Sequence, residues 1–138
     1  MTPAMYETAL LALRSWQAAK SDNIDEIMAI ACVFRNRVMK YGKTYTQILE
    51  EAEVNREWPD IRHPALINPV NGILSQIDGV YRNETPDLTS NHLHKNGAMY
   101  FGRVVEHQGT GDEFEQNVLQ NQEEHQLIGT FGVQQFFE

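Results

Sequence analysis

The groups able to move protons or bind ligands are few and unevenly placed. Asp22, Asp25 and Glu26 gather at the start of an apolar run, Ile27 to Val38. His92-Leu93-His94 sets two imidazoles on one face of an extended segment, a spacing that can chelate a metal, with His107 and His125 further along. The segment is polar and rich in turn residues, so it reads as solvated loop histidines, and no metal or other cofactor is assigned. Trp16, Trp58, Tyr100 and Phe101 supply flat rings that could line a groove, Tyr100 and Trp58 first among them. Cys32, inside the apolar run, reads as an inert core residue. The acidic clusters Glu50-Glu51-Glu53 and Asp112-Glu113-Glu115 read as solvated faces. There is no glycine-rich phosphate loop, nucleophile elbow or dinucleotide fingerprint.

The elements that must position these groups follow from capping and periodicity. Thr2 caps a first helix with Pro3 at its first turn, and Ala9, Leu10, Leu13 and Trp16 recur at helical spacing to about Ala19. Asn23 with Glu26 three residues on has the form of a capping box. The helix it opens carries Ile27, Ile30, Ala31, Phe34, Val38 and Tyr41 on one stripe and stops at Gly42. Met28, Ala29 and Cys32 make this helix apolar on most sides, so it is read as the central one. Thr44 and Gln47 open a third helix, and Asn68-Pro69 a fourth with Ile73, Leu74, Ile77, Val80 and Tyr81 inward. From Asn83 to Asn96 the chain reads as a long loop. Ala98 to Phe101, Val104-Val105 and Val133 to Phe137 read as extended, and Asp112 to Gln126 as a polar insertion. The expected architecture is α+β: one α-rich domain over residues 1–138 with a small C-terminal β element.

Three segments in order resemble the SleB-like cell-wall hydrolases. They are the run Ile27 to Phe34 ending in Arg35-Asn36-Arg37-Val38, then Asn96-Gly97-Ala98-Met99-Tyr100-Phe101, then Ile128-Gly129 with Phe136-Phe137. The resemblance implies a lysozyme- or transglycosylase-like fold and cleavage of peptidoglycan glycan strands. That chemistry needs a carboxyl that protonates the leaving glycosidic oxygen, and a transglycosylase does not strictly need a second. Counting back from Asn36 places the family's catalytic glutamate on Ala18, or on Gln17 with one residue of slack, and neither donates a proton. The family's second acid falls on Asp22, which keeps a carboxyl and is the one candidate substitute. Its place before the second helix is against it, because the helix dipole there favours the charged form. The family's closing histidine has no counterpart among Gly132, Val133 and Gln134. Gln17 and Ala18 are expected to face a groove bordered by Tyr100 or Phe101.

Composition sets the outer bounds. With 138 residues, 41% of them hydrophobic, the chain fits one soluble domain. A formal charge of −8 argues against nucleic-acid binding, though an acidic inhibitor or DNA mimic stays open as a third reading. One cysteine excludes an intrachain disulfide, no apolar run reaches membrane-span length, and Met1 to Glu7 lacks the pattern of a signal peptide. The favoured reading is a phage virion or tail structural protein on a hydrolase scaffold that has lost its acid. It would be made in the host cytoplasm and partnered by other virion proteins, by peptidoglycan or by copies of itself. The alternative is an active peptidoglycan glycosidase.

Overall fold

The computed structural model describes residues 2–57 and 73–138. Helix α1, Pro3–Ala18, starts where the Thr2 hydroxyl accepts from the Met5 N–H at 3.1 Å, and buries Leu10, Leu11, Ala12 and Trp16. Helix α2, Ile24–Tyr41, starts where Asn23 Oδ1 accepts from the Glu26 N–H and ends at Gly42. Every residue from Glu26 to Arg35 is buried, because α1 and the later helices enclose this segment. The short α3, Tyr45–Glu50, carries a complete capping box between Thr44 and Gln47. Helix α4, Ile73–Tyr81, turns Ile73, Ile77 and Val80 into the same core. The proposed start of this helix at Asn68-Pro69 lies outside the described residues, as does Trp58.

Three antiparallel strands complete an α+β domain: β1 Tyr100–Gly102, β2 Leu127–Phe131 and β3 Gln134–Phe137, in the order β1-β3-β2. Phe101 pairs with Phe136 and Thr130 with Gln135, and a bulge interrupts β2 between Leu127 and Gly129. The sheet meets α2 through aromatic rings, with Phe34 edge-on to Phe101 at 6.0 Å and Phe101 stacked on Phe136 at 5.7 Å. Asn36 Nδ2 donates to Asp87 Oδ2 and to the Ala98 carbonyl, and Arg37 Nε to the Met99 carbonyl, so the end of α2 grips the approach to β1. At Gly97, φ +71°, any Cβ would run into Asp87, Asn36 and Thr89, so only glycine fits this junction. No helix among the described residues is long and apolar enough to cross a membrane.

Three local expectations differ from what is seen. Val104–His107 is a short helix, α5, rather than extended chain. β1 stops pairing at Gly102, opposite Gln135, and the Val104 N–H is taken by the Gln135 side chain at 2.9 Å. The insertion holds a π-helical turn, Glu115–Leu119, whose first N–H, on Glu115, is capped by Asp112 Oδ1. Glu26 does not close the capping box with Asn23, because its carboxylate turns inward to other donors.

Candidate functional site

The end of α1 is held by backbone and amide hydrogen bonds. The Gln17 carbonyl accepts from the N–H groups of Asn55 and Arg56, and the Ala18 carbonyl accepts from Asn55 Nδ2 at 2.6 Å and Gln134 Nε2 at 3.0 Å. The Gln17 and Ala18 side chains are themselves buried, at 2% and 0% exposure, which corrects the expectation that they face a groove. Packing of α1 against α2, α3 and α4 turns this last turn into the core. A cleft of about 530 Å³ does lie beside it, and the two residues that hold the Ala18 carbonyl, Asn55 and Gln134, form part of its wall. Tyr100 and Phe101 border the same cleft, Phe101 almost wholly buried and Tyr100 partly so. Burial and the neighbouring Tyr41 hydroxyl push the Tyr100 phenol above its ordinary pKa.

Asp22 does not line this cleft. Its carboxylate pairs with Arg56 Nη1 at 2.9 Å, and that guanidinium also lies 3.5 Å over the Trp16 ring and donates to the Trp16 and Ser21 carbonyls. Asp22 and Trp16 thus belong to a clamp on the turn between α1 and α2, not to the cleft. His94 is partnered as well, its Nδ1 lying 2.6 Å from Glu138 Oε2. Among the described residues no cluster of three or more histidine, cysteine or acidic side chains could hold a metal ion.

The carboxylates that do line the cleft come from positions read only as solvated faces. Glu53 has both oxygens in the fork of Arg37, at 3.0 and 2.8 Å. Asp112 caps Glu115 with one oxygen and meets His107 Nδ1 at 2.7 Å with the other. The Glu115 N–H first, and the imidazole after it, hold that carboxyl below the usual range. Glu113 completes the set. At the margin, Lys20 Nζ pairs with Glu106 at 2.5 Å and lowers that carboxyl's pKa. None of these groups sits in the apolar, unpaired setting that raises a carboxyl's pKa into a general acid's range. The arrangement is one that binds polar and cationic groups.

Behind the cleft lies a residue whose role the sequence reading missed. Glu26 is fully buried, and its oxygens accept from the N–H groups of Lys20, Ser21 and Val133, from the Ser21 hydroxyl and from Gln134 Nε2. It fastens the α1–α2 turn to the β2–β3 turn and so fixes the cleft's rear wall. A second cleft, of about 820 Å³, runs between the solvent side of α2 at Asn36, Met39 and Lys40 and the loop carrying Asp87 and Lys95. Compared with protein-family models, curated proteins and solved structures, the chain matches none.

Proposed function

We propose that this chain is a non-catalytic member of the SleB-like wall-hydrolase group, with a lysozyme-like fold kept as a structural scaffold in an assembly of the phage-tail kind. The observation that carries the reading is Ala18. Where the family resemblance puts the proton donor, this chain has a methyl group at 0% exposure, with the adjoining carbonyl closed off by Asn55 and Gln134. The resemblance gains support from the contact between its own motifs, since Asn36 and Arg37 bond to the carbonyls of Ala98 and Met99. Loss of a general acid removes about 10²–10⁴-fold of rate from glycoside cleavage. Purified sacculi incubated with the protein are therefore expected to release no soluble glycan fragments, and release would overturn the reading.

One observation favours the second reading, an active glycosidase. Glu53, Asp112 and Glu113 stand on the walls of the cleft next to the vacated position. In that case fragment release would occur and would fall in one of the variants Glu53→Gln, Asp112→Asn or Glu113→Gln.

A further inference from the structure

At the back of the cleft the Gln134 side chain is fully buried, and its Nε2 donates to the Ala18 carbonyl at 3.0 Å and to Glu26 Oε2 at 3.2 Å. Both partners are acceptors, so the amide has one orientation; reversing it would set Oε1 against a carbonyl and a carboxylate. Oε1 is then left with no donor among the described residues. An unpaired buried acceptor is costly and marks a place where a donor is missing.

The walls in front of Gln134 narrow down what that donor is. Tyr100 and Phe114 offer aromatic rings, and Glu53, Asp112 and Glu113 offer negative charge. The cations of the cleft are already engaged, Lys20 by Glu106 and His107 by Asp112, whereas Glu113 has no ion-pair partner among the described residues. An anion would meet these carboxylates, and a ligand offering only acceptors would leave Gln134 unsatisfied.

We propose that the cleft receives an arginine side chain from a protein partner. A guanidinium carries donors on every edge and no acceptor, lies flat on aromatic rings and pairs with carboxylates. The chain packs its own arginines this way: Arg37 lies 5.5 and 5.6 Å from the Phe34 and Phe101 ring centres while its fork holds Glu53, and Arg56 lies over Trp16 while it pairs with Asp22. The net charge of −8 draws a basic partner to this surface. The inference rests on the assembly role proposed above and gives that role's partner a chemistry.

The test is an amide-resolved NMR titration of the full chain with an end-capped Gly-Arg-Gly peptide, beside the same peptide carrying neutral, isosteric citrulline. The arginine peptide should give saturable shifts at Gly102, Asn117 and the Gln134 side-chain amide. Citrulline should bind about tenfold more weakly, and Glu113→Gln should weaken the arginine peptide about threefold without changing the rest of the spectrum. Equal binding of the two peptides, shifts confined to other surfaces, or no shift at about 20 mM peptide would overturn the proposal. The two readings fail separately. Fragment release from sacculi would remove the assembly role, while a silent titration with no release would remove only the arginine.

Discussion

Glu26 is a carboxylate cut off from solvent, and its neighbours make that tolerable. Backbone donors from Lys20, Ser21 and Val133, with the Ser21 hydroxyl and Gln134 Nε2, surround its two oxygens. Replacing it by alanine strands those donors, so Glu26→Ala is expected to lose about 3 kcal/mol or more of unfolding free energy. Glu26→Gln, which presents an N–H₂ to some of the same donors, should lose about 2 kcal/mol. Denaturant unfolding checks both, and an unchanged midpoint in either variant would contradict the assigned role. Glu7 plays a comparable part on the other side of α1, accepting from the Thr46 N–H and hydroxyl and from the Tyr81 hydroxyl. Burial raises its pKa, but the Tyr81 and Thr46 hydrogen bonds outweigh burial and leave it below the ordinary 4.5. A depressed carboxyl contributes stability above its unfolded value, and that contribution is lost as pH falls through the folded one. The stability difference between wild type and Glu7→Gln should therefore be full at neutral pH and shrink as pH drops below 4.5. Unfolding curves from about pH 7 to pH 3 measure it, and a constant difference would contradict the linkage.

At the scale of elements, the turn between β2 and β3 decides how the cleft's rear wall is held. Gly132 sits at φ +60°, and a Cβ there would collide with the Glu26 carboxylate. Gly132→Ala is expected to cost about 2 kcal/mol or more, from left-handed backbone strain together with displacement of Glu26. Gly109→Ala, also at positive φ but facing open space, should cost only the backbone part, about 1 kcal/mol. Equal losses in thermal or chemical unfolding would show that the Glu26 contact carries no weight. Signals confined to a few neighbouring residues were legible in the sequence. The caps at Thr2, Asn23 and Thr44 and the stop at Gly42 stand where the spacing put them, because each is completed within three or four residues. Features completed across the chain were not legible. Glu26 has the spacing of a capping box, but its inward partners include Val133 and Gln134, more than a hundred residues away. Val104-Val105 has strand chemistry, yet the end of β1 pairing and the Gln135 side chain turn it into a helix. Strand β2 is an edge with alternating partial exposure and a bulge, too weak a pattern to read before its partner is known.

Across the whole molecule, the helices form one core around α2, and the sheet closes it on the side where β1 and the π-helical turn border a cleft. The cleft itself was anticipated only through Tyr100 and Phe101. Its carboxylates lie at Glu53, Asp112 and Glu113, from two segments that nothing in their local sequence joins. Asp22, the acid favoured by spacing, is instead paired with Arg56 on the α1–α2 turn. Together these placements describe a binding cleft without a free proton donor at the end of α1, and the absence of catalysis is the central claim. Its most direct test is a digestion of purified peptidoglycan sacculi, with soluble fragments counted by mass spectrometry, using wild type, Glu113→Gln and a buffer blank. The account predicts that both proteins match the blank. Fragments released by wild type and lost in Glu113→Gln would contradict it and make the cleft an active site.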